Sequence, residues 1–284
     1  MAINYEHLMS LKRVGDRFRY GDRETMLYAI GIGMGRDPYD PNELPFVFEK
    51  GELKTVPSLA TVLTRVPLLK DCGYDYTKVV HGEQRLTLHR PLPPEGELIT
   101  DARVTGAYDK GPGRGAVIYT EIKVRSASDN QPMFTLGSTT FARGDGGFGG
   151  PAGSGPEPHQ VPDRKPDASL SLETRKDQAL LYRLSGDRNP LHADPDLAKR
   201  AGFPVPILHG LCTYGTACRA VLQAVCKYDD RKITSFDVRF SAPVYPGEHI
   251  VTDMWVDGPV VSFRSRVPER DVVVINNGKC TLAV

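Results

Sequence analysis

Hydrophobic residues recur with two different periods along this 284-residue chain, and the change from one to the other marks out its elements. From His209-Gly210 onward, Leu211, Tyr214, Ala217, Cys218, Val221, Leu222 and Val225 follow three-and-four spacing, which predicts a long helix with a buried face. Upstream, Thr174-Arg-Lys-Asp177 has the form of a helix N-cap. Ala179, Leu180, Tyr182, Arg183 and Leu184 follow it before a stop at Gly186, so a helix of about ten residues is expected there. Other stretches are rich in β-branched and aromatic residues: Ala116 to Val124 and Met133 to Phe141 early, Val260 to Val267 and Asp271 to Ile275 late. In each half a Pro-x-x-Pro turn leads into these stretches, so each half is expected to end in an antiparallel meander.

The two halves resemble each other. Pro91-Leu-Pro-Pro-Glu-Gly-Glu-Leu-Ile-Thr-Asp101 lies without a gap on Pro243-Val-Tyr-Pro-Gly-Glu-His-Ile-Val-Thr-Asp253; Val104 with Val256 and Gly106 with Gly258 extend the match to six identities in sixteen positions. Turn chemistry could supply the prolines, but the pairs continue through the strand-like part, which points to an internal duplication. Between the copies, Gly144 to Pro156 holds seven glycines in thirteen residues, a backbone costly to order. The Pro- and charge-rich run to Asp167 continues it. The expected organisation is a module at 1–143, a linker at 144–167 and a second module at 168–284.

Composition narrows the class of partner. Apolar residues at 40% and charged residues at 25% are ordinary for a globular protein. Lys and Arg (36) nearly cancel Asp and Glu (35), so no long-range field favours a nucleic acid or an anionic membrane, and a small ligand is expected instead. The five cysteines, Cys72, Cys212, Cys218, Cys226 and Cys280, are odd in number and form no C-x-x-C pair, which argues against a zinc site or a disulfide framework and for a reducing compartment. The first residues show no basic segment followed by an apolar run, and Thr281-Leu282-Ala283-Val284 does not spell Ser-Lys-Leu. A cytoplasmic protein is the expectation.

Between the two predicted helices, Tyr182-Arg-Leu-Ser-Gly-Asp187-Arg-Asn189-Pro-Leu-His192-Ala-Asp194-Pro195 places a carboxylate, an amide and an imidazole within six positions. Asn-Pro and Asp-Pro favour turns, so these side chains should converge in a tight loop. An imidazole titrating near neutrality beside a carboxylate can activate a water or donate a proton. Each also has an ordinary reading, Asp187 as a turn residue bonded to nearby amides and His192 as a loop imidazole. Gly210 stands at the mouth of the long helix, where its N–H points out of the helix end toward a partial negative charge; close packing or a permissive cap would equally call for glycine. An acid–base pair with an oxyanion donor suits thioester chemistry.

Ser-Gly-Asp187-Arg-Asn189-Pro-Leu-His192, then Ala201-Gly-Phe203, then Pro206-Ile-Leu-His209-Gly210, with the flanking Tyr182, is similar to the signature of the hydratase 2, or MaoC-like dehydratase, family. Val80-His-Gly-Glu-Gln84 resembles the first module of its two-module members, so the resemblance covers most of the chain. It implies an α+β double hot-dog fold, two modules each with a curled antiparallel sheet around a helix, the sheets joined in one continuous layer. It also implies that Asp187 and His192 are catalytic, that Asn189 orients, and that Gly210 gives its N–H to the thioester oxygen. The reaction implied is reversible hydration of a trans-2-enoyl-CoA to the (R)-3-hydroxyacyl-CoA, with coenzyme A as part of the substrate, no separate cofactor and no metal. A homodimer is the assembly that this architecture suggests.

The first module lacks this equipment. Tyr28-Ala-Ile-Gly-Ile-Gly33 can be laid on Tyr182-Arg-Leu-Ser-Gly-Asp187, which puts Gly33 where the acid should stand, and no histidine follows nearby. Its expected role is to hold the acyl chain. Two competing functions are a hot-dog acyl-CoA thioesterase, whose activated water would attack the carbonyl, and a non-catalytic acyl-CoA-binding partner subunit. His81-Gly-Glu83-Gln84 sits at a strand entrance, where it could be a structural turn or part of the substrate path; the turn is the expectation. His7, His89, His159 and His249 have no partner pattern, and Trp255 is expected in the core. Gly31-Ile-Gly33-Met-Gly35 follows a helical pattern and does not complete the glycine spacing of a dinucleotide loop.

Overall fold

The computed structural model describes residues 3–70, 72–75, 78–153 and 155–283. Met1, Ala2 and Val284, which bear on terminal signals, and Ser154 of the glycine-rich stretch lie outside the described residues. The first half runs α1 (Tyr5–Ser10), β1 (Lys12–Tyr20), α2 (Asp22–Gly31), α3 (Leu44–Val47), α4 (Ala60–Leu63), β2 (Val79–Leu88), β3 (Gly96–Asp109), β4 (Ala116–Ser126) and β5 (Pro132–Ala142). The second runs β6 (Ala168–Glu173), α5 (Gln178–Tyr182), α6 (Pro195–Arg200), α7 (Gly210–Ala224), β7 (Ile233–Phe240), β8 (His249–Asp257), β9 (Val260–Val267) and β10 (Val272–Leu282).

The ten strands of the described residues form one antiparallel sheet in the order β1-β3-β4-β5-β2-β7-β10-β9-β8-β6. Read from either end, this order passes through the same sequence of corresponding strands, so the two halves are related by a pseudo-twofold at the seam where β2 pairs with β7 (Glu83↔Arg239, Gln84↔Val238, Thr87↔Ser235). The aligned segments Pro91 to Asp101 and Pro243 to Asp253 lead into β3 and β8, each the start of a three-strand meander. This is the double hot-dog arrangement, an α+β fold with one continuous sheet.

The halves differ in what fills the concave side of the sheet. In the second half α7 is buried along most of its length, with Cys212, Tyr214, Ala217, Cys218, Val221 and Leu222 in the main apolar cluster beside Phe236, Val238 and Phe263. The first half was expected to carry a comparable helix. Among its described residues, the corresponding segment has only a 3-10 turn at Pro57–Leu59 and the four-residue α4. Its sequence, with Pro57, Pro67 and β-branched Thr61, Val62, Thr64 and Val66, does not sustain a helix.

Three other expectations are corrected. The helix expected from Thr174 begins only at Gln178, because the Thr174 hydroxyl donates to the Glu248 carbonyl and accepts from the Gly247 N–H instead of capping. The strand expected at Asp271 to Ile275 continues to Leu282; a register shift between Asn276 and Lys279, with Asn277 at φ 55°, breaks the alternation that would have revealed it. His81-Gly-Glu83-Gln84 is no turn but the interior of β2, with a bulge between His81 and Glu83.

The glycine-rich stretch is tied to the sheet. The Asp109 carboxylate accepts the N–H groups of Gly111, Gly147 and Gly149, and Asp109 forms a bridge with Ala152. Farther along, Asn277 Nδ2 donates to the His159 carbonyl and the buried Trp255 donates its indole N–H to the Arg164 carbonyl. Among the described residues no helix is long and apolar enough to cross a membrane.

Candidate active site

The loop between α5 and α6 is shaped by its own side chains. After a 3-10 turn at Arg183–Ser185, Gly186 takes a left-handed conformation (φ +116°) that lets the chain reverse. Asp187 Oδ1 then accepts the Asn189 N–H at 3.1 Å, and Asn189 Oδ1 accepts the Leu191 N–H at 3.0 Å, capping a second 3-10 turn at Pro190–His192. Asn189 therefore holds the loop that carries the other two groups.

His192 Nδ1 lies 2.9 Å from the Ile207 carbonyl oxygen, to which it can only donate, so Nε2 is left with its lone pair. His209 is fixed the opposite way: its Nε2 donates to the Asp187 backbone carbonyl at 2.9 Å, and its Nδ1 is buried with no hydrogen-bond partner among the described residues. The two imidazoles stack with centroids 3.7 Å apart and planes 28° apart, and the Tyr182 ring lies 5.0 Å from His209.

Asp187, His192 and His209 offer ligand atoms within 4.8 Å of one another. The set does not suit a single metal ion. A metal lies in the plane of each imidazole that binds it, about 2 Å from the nitrogen. Two rings stacked at this spacing and inclined by only 28° have no common point that close.

Electrostatics set the protonation states. Burial pushes the Asp187 carboxyl up, but the Asn189 amide, Arg65 and the two imidazoles outweigh it, and its pKa falls below the ordinary value. Arg65 Nη2 stands 3.5 Å from Asp187 Oδ1. Burial lowers His192 despite the Ile207 carbonyl and the Asp187 charge, and burial together with the neighbouring His192 pushes His209 down to about 4. At neutral pH the site holds an ionised carboxylate beside neutral imidazoles.

Gly210 opens α7, directly after His209, so its N–H has no carbonyl one turn earlier in the helix to bond. A side chain here would meet the Phe240 ring at 3.5 Å, an ordinary contact. Phe240 in turn packs against His81 of β2, with ring centroids 4.9 Å apart. His81, hydrogen-bonded through Nε2 to Ser138 Oγ at 3.1 Å, is driven down to about 4 by burial, against the charge of Asp187. The site thus borders the first half of the chain. There, a cavity of roughly 740 Å³ is lined by Thr64, Arg65, Leu68, His81, Leu136 and Leu211 among others. Arg65 touches Asp187 and Leu211 follows Gly210, so cavity and site adjoin.

The structure therefore brings together all four residues singled out from the sequence: Asp187, Asn189, His192 and Gly210. It adds three whose part was not read there. His209 was seen only as a neighbour of Gly210, His81 as a structural turn or part of the substrate path, and Arg65 not at all; no local pattern links any of them to a loop far away in sequence. Gly33 adopts φ +93° beside Arg219 and offers no acid, and the aligned Tyr28 and Tyr182 face each other with rings 6.0 Å apart.

Residues 158–278 match the MaoC like domain and residues 18–144 match the MFE-2 hydratase 2 N-terminal domain. The chain is 36% identical to the enoyl-CoA hydratase 2, peroxisomal, of Arabidopsis thaliana, over 96% of this chain and 94% of that one. The chain belongs to the enoyl-CoA hydratase 2 family of MaoC-like proteins. Another relative, the 3-hydroxyacyl-thioester dehydratase Y of Mycobacterium tuberculosis, is 40% identical over 89% of this chain and 88% of its own. The crystal structure of a MaoC-like dehydratase from Phytophthora capsici superimposes on this family member with a TM-score of 0.87 at 32% identity, covering 99% of this chain and 98% of that one.

Proposed function

We propose that the protein adds water reversibly across the double bond of a trans-2-enoyl-CoA to give the (R)-3-hydroxyacyl-CoA, with Asp187 and His192 as its catalytic pair. The observation that carries this reading is the convergence of an ionised Asp187 carboxylate, a free His192 Nε2 lone pair and the open Gly210 N–H at one end of α7. Gly210 donates to the thioester oxygen and stabilises the negative charge that grows there as the double bond is polarised. Asp187 and His192 hold a water over C3; its oxygen bonds to C3, one of its protons passes to the pair, and the pair returns a proton to C2. Because the two groups interact, they act as one titrating unit. Asn189 keeps the loop in place and His209 fixes the Asp187 backbone while stacking on His192.

The acyl chain extends into the cavity of the first half, the role proposed for the module at 1–143. The space left where the described residues of that half form no helix like α7 supports this assignment. A reducing, cytoplasmic setting forms part of the same proposal and fits the four buried, unpaired cysteines Cys212, Cys218, Cys226 and Cys280. So does a homodimer, which sedimentation of the purified protein would read.

The test is the loss of ultraviolet absorbance of the conjugated enoyl thioester on adding purified protein, with free thiol monitored and Asp187→Asn and His192→Ala run alongside. Decay without thiol release, abolished in both variants, is expected. Thiol release would replace the hydratase by a thioesterase, and an unchanged rate in either variant would remove that residue from the reaction.

A further inference from the structure

The concave face of the first half changes character along its strands. In β4, the face runs Ala116, Ile118, Thr120, Ile122, Val124; in β5, it runs Phe134, Leu136, Ser138, Thr140, Ala142. The ladder pairs Ser138 with both Thr120 and Gln84, and Thr140 with His81. The bulge after His81 is what brings His81 and Gln84 to the same side, while Glu83 and Arg85 pair with each other on the other side. A polar band therefore crosses three adjacent strands between two apolar zones, and all five of its members line the cavity. On the second half, the corresponding strands carry Phe236, Val238, Val261 and Phe263, buried in the same cluster as α7.

Part of the band's hydrogen-bonding capacity is unspent. Gln84 Nε2 donates to the Arg85 and Gly137 carbonyls, leaving Oε1 with no protein donor among the described residues. The Thr140 hydroxyl makes no hydrogen bond among them. A plain hydrocarbon laid over this band would displace water from these groups and return nothing, whereas a hydroxyl could donate to Gln84 Oε1 and accept from Thr140. Val66, Leu68, Leu69 and Leu211 line the same cavity and suit the hydrocarbon on either side of such a group.

We infer that the cavity selects an acyl chain carrying a hydroxyl group part-way along its length, which docks on the polar band of Gln84, Ser138 and Thr140. This rests on the reading above for where the thioester sits. The experiment is calorimetric titration of the full-length protein with saturated acyl-CoAs of one chain length, either plain or with a single hydroxyl moved stepwise beyond C4. Saturated thioesters cannot be hydrated, so failure of enoyl-CoA turnover would sink the hydratase reading and leave this comparison intact. One positional isomer is expected to bind about tenfold more tightly than the plain chain, the equivalent of one satisfied buried hydrogen bond, and Thr140→Val, nearly isosteric, should remove most of that preference. Tightest binding of the plain chain by the wild-type protein would overturn the inference without recourse to any variant. Equal weakening of both ligands by Thr140→Val would overturn it too, because the band would then contact the coenzyme A arm.

Discussion

Gly210→Pro isolates the one donor assigned to the thioester oxygen. Proline lacks the N–H, yet the first position of a helix tolerates it, because its fixed φ suits that position and the N–H there has no helical acceptor. The residue before proline must be extended, and His209 already is, at φ −59° and ψ 137°. The Cys212 and Thr213 amides keep their bonds to the His209 carbonyl. Loss of an oxyanion donor is worth on the order of a hundred- to thousandfold in kcat, or about 2.7–4 kcal/mol. The substitution should leave stability unchanged or raise it by up to about 1 kcal/mol through the unfolded chain. The assay is the enoyl absorbance decay at saturating substrate, beside a thermal melt. Gly210→Ala keeps the N–H and places its methyl 3.5 Å from the Phe240 ring, so it should retain far more activity. Two results would refute the reasoning: a folded Gly210→Pro protein with kcat within about threefold of wild type, or a Gly210→Ala protein as impaired as Gly210→Pro, which would mean that shape rather than the donor matters.

The pH dependence of kcat/KM should follow from Asp187 and His192 both titrating below their ordinary values. The active combination, carboxylate ionised and imidazole neutral, persists through neutrality, and the rate falls on the acid side with a midpoint below 6.5; a midpoint above that value would contradict it. Stability should move in the same direction for a separate reason. His81 and His209 titrate near 4 when folded and near 6.5 when unfolded, so the unfolded chain takes up protons first and stability drops as pH falls from above 6.5 toward 4. Urea midpoints across that range should show less of this slope in His81→Gln than in the wild type. Arg219 and Glu43, with side chains only 9% and 4% exposed, form an ion pair between α7 and the segment before α3, and Glu43 also accepts the Gly35 N–H. Arg219→Met alone should cost about 3–5 kcal/mol by stranding a buried carboxylate; adding Glu43→Gln, which keeps an acceptor for Gly35, should restore most of it, and equal instability of the single and double variants would refute the pairing.

The sequence carried the site loop well because the side chains of Asp187 and Asn189 bond to amides two residues on, and turn chemistry is a local property, whereas the Ile207 carbonyl that orients His192 lies fifteen residues away. It carried the duplication because Pro91 to Asp101 and Pro243 to Asp253 occupy the same place in two meanders. Thr174 misled because its hydroxyl is captured by a turn more than seventy residues away. That the described residues of the first half form no helix like α7 is legible in Pro57, Pro67 and the β-branched residues between them. His81 reaches the site because β2 pairs with β7 across the seam, and pairing between distant strands leaves no mark on neighbouring residues.

That seam also explains what is gained by holding both halves on one chain. In an assembly of two identical modules, every substitution appears twice, so hollowing out one partner to admit a bulky ligand would delete the helix that carries the reactive centre in the other. Covalent fusion releases this constraint. Here one half holds α7 with Gly210 at its tip, the described residues of the other leave a cavity where a comparable helix would lie, and the pairing of β2 with β7 keeps the two different halves in one sheet.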